Sequence, residues 1–374
     1  MRRTPLAKSF WQSFKPRITS SGYNISAYSD AANGTSQHFV QEIGGEKDSV
    51  VVTGAILNAY TSTTTIVPGT EDVPYLDYTG SGFSYARCSN YTTLDTVSGI
   101  TSGDVTIGSA GTTSWYVLDG DMSAGGRITC TGDVRLILKN GMTLDATSGG
   151  ISVNSGNTLI VYGQTGDLDA VGILRATSTV PEGTGSDQFG NAAIGGGNNY
   201  AGGTITINGG KVYAVPQGSG YFQGAGIGGG STKSGGAITI NGGYVEASAA
   251  VLRGAAIGGG GNASGGTITI NGGTVVATSG SMGAAIGGGC FYSGGTITIN
   301  GGTVTATSTS AGAAIGGGWS HNYGASGGVI SINGGTVTAK CISTGYARGA
   351  AIGGGGGWDG SFHNGGSGGT ITIS

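Results

Sequence analysis

Side chains capable of catalysis are sparse and dispersed along this 374-residue chain. Carboxylates pair closely only in D-x-D form, at Asp119 with Asp121 and at Asp167 with Asp169. That spacing suits a calcium loop, but it is also the ordinary chemistry of polar turns, which is the expectation here. Glycoside hydrolysis needs two carboxylates across one bond, and a polysaccharide lyase needs a base beside a neutralising acid, metal or cation. From residue 191 to the end the acids are Glu246 and Asp359, far apart and in unlike contexts. His38, His321 and His363 are equally dispersed, and no Walker loop occurs despite the glycine content. Cys88, Cys130, Cys290 and Cys341 show no C-x-x-C and no histidine in zinc spacing. No metal, no cofactor and no enzyme activity are expected, and the pairing of the cysteines stays open.

Another set of residues suits recognition. After a recurring G-G-G the sequence varies, carrying Tyr200, then Lys233, Asn262, Phe291 with Tyr292, Trp319 with His321 and Tyr323, and Trp358 with Phe362 and His363. Aromatic rings offer apolar faces and polar edges that fit sugar rings or protein partners. The candidate ligand-binding residues are therefore Tyr200, Phe291, Tyr292, Trp319, Tyr323, Trp358 and Phe362. They can act together only if the elements between them stack and bring the variable corners to one edge. The competing expectation is that the rings pack on each other and merely cover that edge.

The elements that must position them are repeats. G-G-T-I-T-I-N-G-G or a close variant starts a strand at Thr204, Ala237, Thr267, Thr296, Val329 and Thr370. A-I-G-G-G, once G-I-G-G-G, recurs with its isoleucine at 194, 227, 257, 286, 315 and 352, so the spacings are 33, 30, 29, 29 and 37. Insertions thus fall in corners while the motif keeps register. Each unit holds three strand-like runs, A-A-I-G-G, T-I-T-I-N and T-V-T-A-T, and the last two alternate with period two. Ile205 and Ile207 face one way, Thr204 and Thr206 the other. Asn-Gly between alternating runs is also the strongest short hairpin signal. A hairpin would strand A-A-I-G-G-G without partners, whereas coiling pairs every run with its equal in the next unit. Coiling predicts an inward ladder of Ile205, Ile238, Ile268, Ile297, Ile330 and Ile371. It also predicts a corner ladder of Asn208, Asn241, Asn271, Asn300 and Asn333 with amides bonded along the stack.

The fold expected is all-β, a right-handed parallel β-helix or solenoid with about 30 residues per coil in its C-terminal half. Residues 113–190, with alternating runs such as Val134 to Lys139 and Thr158 to Gly163, are expected to hold its first coils, and 191–374 the six glycine-rich repeats. Residues 1–112, richer in charge and aromatics, are expected to form a β-rich or irregular cap or attachment region. Charged residues are 9% of the chain, against roughly a quarter in ordinary domains. The net charge of −3 and the lack of a Lys/Arg run exclude a nucleic-acid footprint. No run of 18 apolar residues exists, so no membrane span is expected. Arg2, Arg3 and Lys8 precede no apolar h-region, so an exported chain would need a signal removed, placed outside this sequence, or another route. The sequence stops inside a unit at Ile371 to Ser374, as a fragment would.

The stretch WYVLDGDMSAGGRITCTGDVRLILKNGMTLDATSGGISVNSGNTLIVYGQTG, followed by A-I-G-G-G and GGTITINGGTVTATS units, resembles the repeat regions of large surface proteins of gut Firmicutes and related bacteria. The resemblance covers roughly residues 75 to 374. Such proteins are commonly labelled carbohydrate-binding-domain-containing or adhesin-like. The resemblance implies an extracellular or cell-surface solenoid that engages a carbohydrate or host-surface ligand through its corners, or acts as a rigid spacer. A phage-tail or virion receptor-binding protein, an ice-binding solenoid presenting Thr-x-Thr, and a polysaccharide lyase-like enzyme are the alternatives.

Overall fold

The computed structural model describes residues 72–178, 190–217, 223–249, 253–280, 282–321, 323–343, 348–358 and 364–374. The first five repeats fold as three principal strands joined by corners. In the third repeat these are Ile257–Gly258, Thr267–Ile270 and Thr274–Ser279, here called the short, middle and long strands. The middle and long strands of one repeat do not form a hairpin. Thr267 to Ile270 pair in parallel with Ala237 to Ile240 before and Thr296 to Ile299 after, residue for residue. Long strands stack likewise, Thr274 on Tyr244 and Thr303 on Thr274. The short strands follow the same rule, Ile257 between Ile227 and Ile286. The result is an all-β parallel β-helix.

Alternation then decides what lies inside. Ile257, Ile268, Ile270, Val275 and Ala277 are fully buried, and their equivalents in neighbouring coils form one continuous apolar column. Burying each large aliphatic side chain contributes about 1.5–3 kcal/mol. The isoleucine ladder is buried from Ile205 to Ile330, whereas Ile371 on the last strand is exposed. The asparagine ladder forms as the repeat spacing predicts. Asn241, Asn271, Asn300 and Asn333 each donate from Nδ2 to Oδ1 of the asparagine one coil earlier, at 2.7–2.8 Å. Asn208 at the start donates to Asp77 at 3.4 Å.

The ladder makes a specific demand. Asn208 and Asn241 are buried, so Asn241→Ala strands the acceptor of one neighbour and the donor of the other. A loss of about 1–3 kcal/mol is expected in urea unfolding. Asn333→Ala removes one bond at an exposed position and should cost under about 1 kcal/mol. Equal costs at both positions would show that the ladder is not cooperative.

Upstream coils build the same three sides from different residues. Val105–Leu118 pairs in parallel with Ile128–Leu138, which pairs in turn with Ile151–Ser152 and Thr158–Gly163. The boundary expected at residue 112 therefore falls inside a strand, because Val105 to Gly108 already stack on Ile128 to Thr131. An antiparallel hairpin, Val73–Tyr78 with Phe83–Cys88, lies on the outer side of these coils. Val117, Ile137 and Tyr162 point outward yet are buried, because Val73, Tyr75 and Cys88 cover them. Tyr75 meets Trp115 and Tyr162 with ring centroids 5.0 and 4.7 Å away. The rest of the expected cap, residues 1–71, lies outside the described residues.

Candidate functional site

The variable corners do stack. Gly230, Gly260, Gly289, Gly318 and Gly355 donate backbone bonds to the carbonyls of Tyr200, Lys233, Ala263, Tyr292 and Ala325, at 2.9–3.1 Å. These five acceptors occupy one equivalent position. The expected row of exposed rings, however, is not continuous. Tyr200, 58% exposed, is separated from its equivalent Tyr292 by Lys233 and Ala263, three coil steps or about 14 Å.

Over the fourth to sixth repeats the rings gather, and here one of the candidate residues is buried. Trp319 is only 7% exposed. Its backbone N–H donates to Met282 at 2.7 Å, and its carbonyl accepts from Phe291 at 2.6 Å. Its ring lies 5.4 Å from that of Phe291 and 4.5 Å from that of His321. Phe291 also stacks on His321 at 5.3 Å, and the Arg253 guanidinium sits 5.6 Å from its ring centre. Phe291 holds φ at 70°, a left-handed conformation rare for a bulky residue. Thr232 and Asn199, at the same corner position in earlier coils, also hold φ near 60°, whereas Asn262 does not, so at Phe291 the aromatic packing must offset the cost of the conformation. Trp319 therefore corrects the expectation of an exposed row, and Phe291, half-buried, packs on it: together they form a base. Tyr292 (48%), Tyr323 (72%) and Trp358 (47%) remain exposed around it. Tyr292 follows Phe291, the Tyr323 N–H donates to His321, and Trp358 is the strand partner of His321. Phe362 and His363 lie outside the described residues.

The D-x-D pairs hold turns. Asp119 pairs with Lys139, Asp121 accepts the Thr143 N–H, and Asp167 accepts the N–H of Asp169. The four cysteines are unpaired with one another. Burial pushes the Cys130 and Cys290 thiols up to about 12, which keeps both protonated and unreactive near neutrality.

A second group of residues escaped the sequence reading. On the outward side of the long strands, Asp145, Arg175, Tyr213 and Glu246 occupy one column on four successive coils. Ile173, Lys211 and Tyr244 fill the adjoining column. The Arg175 guanidinium lies 5.8 Å from the Tyr213 ring centre, and Tyr213 lies 5.8 Å from Tyr244. Tyr244 donates its hydroxyl to Glu246 at 2.7 Å, a bond to the carboxylate that raises the phenol to about 12. A cavity of about 440 Å³ lies between the outer hairpin and the first coils, lined by Arg87, Asn90, Tyr91, Trp115 and Tyr116 among others.

The family model described as a beta helix repeat matches residues 205–231, 238–261, 268–290, 297–319 and 330–356. The chain carries β-helix repeats. Each match starts on a middle strand, runs through the following short strand and stops at the first residue after G-G-G, so most of the variable corner falls outside it. No curated protein and no solved structure matches the chain.

Proposed function

We propose that this chain is a non-enzymatic β-helix displayed outside a cell, binding glycans on host or neighbouring surfaces through the corner of its fourth to sixth repeats. The observation that carries the reading is the trio of exposed rings, Tyr292, Tyr323 and Trp358, around a packed base of buried Trp319, half-buried Phe291 and exposed His321. A rigid base lowers the entropy lost when exposed rings meet a ligand. The carboxylates of the long-strand face do not suit glycoside hydrolysis. Asp145 and Glu246 share a column but stand three strands apart, about 14 Å at ~4.8 Å per strand. Two-carboxylate glycosidases hold theirs about 5–9.5 Å apart. Ala237 and Val329 break the threonine column of the middle strands, which disfavours the flat array an ice-binding surface would present.

Trp358 and Tyr292 are exposed enough to replace without opening the core. On a glycan array, Trp358→Ala and Tyr292→Ala are expected to lose at least tenfold in apparent affinity, about 1.4 kcal/mol, with melting unchanged. A wild-type chain that ignores every glycan, or variants that bind as well as it does, would end this reading.

A further inference from the structure

The outer face of the long strands changes character along the stack. In the third to fifth repeats its outward positions are mostly threonine: Thr274, Thr278, Thr303, Thr305, Thr336 and Thr338 among them. In the coils just before, the same positions hold Asp145, Arg175, Lys211, Tyr213, Tyr244 and Glu246. Threonine is what an exposed strand position takes when only the pleat matters. Two tyrosines, two cations and two carboxylates on neighbouring strands need another reason.

We propose that this face is a second binding site, distinct from the corner, for an anionic polysaccharide whose carboxylate or sulfate groups lie between Arg175 and Lys211 while its sugar rings rest on Tyr213 and Tyr244. Three observations point to that ligand. The rings of Tyr213 and Tyr244 sit on successive coils with centroids 5.8 Å apart, forming an apolar strip on a regular sheet. Arg175 continues the strip by lying against Tyr213 and is itself exposed, so its N–H donors are open to a ligand. Neither Arg175 nor Lys211 forms an ion pair among the described residues, where the pairs are Arg135 with Asp133 and Lys139 with Asp119.

The acids on the face are already engaged. Glu246 accepts the Tyr244 hydroxyl, and Asp145 accepts the Thr147 N–H at 3.1 Å. They bracket the cations at either end of the column, where they can accept hydroxyl hydrogens from a sugar while Arg175 and Lys211 take the anionic group. The whole set lies on strands held by parallel ladders on both sides, so the geometry is present before the ligand arrives.

The test uses the full chain against three immobilised polymers: a polyuronate, a sulfated polysaccharide and a neutral glucan. Arg175→Gln, Lys211→Gln and Tyr213→Ala are compared with Trp358→Ala, which reports on the corner alone. Wild type is expected to bind an anionic polymer and to weaken as salt rises, because the recognition is charge-assisted. Each of the three face variants should lose tenfold or more while Trp358→Ala holds the anionic polymer as wild type does. Preference for the polyuronate assigns the held group as carboxylate, and preference for the sulfated chain assigns it as sulfate. Loss with Tyr213→Ala, which keeps every charge, separates a built site from simple ion exchange. Indifference of the wild type to both anionic polymers, unchanged binding in the Arg175 and Lys211 variants, or loss in Trp358→Ala alone would overturn the proposal. The neutral glucan and the corner variant report separately on the corner reading, so either can fail without the other.

Discussion

Gly287→Ala is expected to be among the most damaging single-methyl changes in the repeat region, costing more than about 4 kcal/mol and removing most soluble protein. Gly287 follows the isoleucine of its short strand and holds φ at 133°, where an L side chain is strained. A β-carbon there would stand 2.1 Å from the carbonyl oxygen of Gly316 in the next coil. That oxygen belongs to the backbone and accepts the Gly288 N–H at 2.9 Å, so it cannot move aside without opening the ladder. Conformational strain of about 1–3 kcal/mol adds to the clash. Gly195, Gly228, Gly258 and Gly316 repeat both the angle and the close approach, so the effect should recur at each. Gly82, at the tip of the outer hairpin, has nothing within 4 Å of the same hypothetical atom and no left-handed φ. Gly82→Ala should therefore leave the unfolding midpoint within about 0.5 kcal/mol of wild type. Matched urea titrations decide it. Gly287→Ala costing no more than Gly82→Ala would mean that coils separate far more easily than their backbone packing implies.

That glycine column also explains what the sequence could and could not reveal. Identity between repeats is legible because stacked positions share one environment: a residue that suits one coil suits the next. Hence the isoleucines, the asparagines and the G-G-G triplets disclosed the ladders, the inward face and the corner. The hairpin signal in Asn-Gly misled only locally. A turn with a left-handed glycine is needed whether the chain returns beside itself or bends onward to a third side. Gly273, with φ 82°, serves the second purpose.

Recognition is harder to read because it lives where the repeats disagree. Disagreement has several physical causes. Trp319 differs from its equivalents because its buried ring fills space, while its equivalent in the next coil, Gly356, donates its N–H to Ala311 as Trp319 does to Met282. Phe291 differs because it packs on Trp319 and His321. Sequence alone gave both the same weight as Tyr323 and Trp358, which are exposed. The long-strand face was missed for the opposite reason. Lys211 to Ala214 and Tyr244 to Ala249 read as ordinary alternating strands, and only the loss of threonine at their outward positions marked them. Register joins Arg175, Tyr213 and Glu246 across 71 residues of sequence, and no local pattern carries that distance.

Trp319→Ala is expected to cost about 3–5 kcal/mol, the range for emptying a buried aromatic site, although its position after G-G-G looks like a surface corner. The backbone bonds from Trp319 to Met282 and from Phe291 to Trp319 can survive the substitution. What is lost is the ring that packs against Phe291 and His321, and with it the support for the left-handed turn at Phe291. A left-handed residue costs roughly 1–2 kcal/mol. Phe291→Gly would relieve that strain while forfeiting the ring packing. The two substitutions should therefore be non-additive, the double variant losing less than the sum of the singles. Because each coil touches only its neighbours, the damage should stay local. Hydrogen exchange is expected to accelerate at Ile286, Ile315 and Ile352 while the amides of Leu144 and Leu174 keep wild-type protection. A loss below about 1 kcal/mol, or additive costs in the double variant, would mean the ring is not part of the base. The same result governs how binding is tested: a glycan signal lost with Trp319→Ala reports a collapsed corner, whereas one lost with Trp358→Ala reports a missing contact.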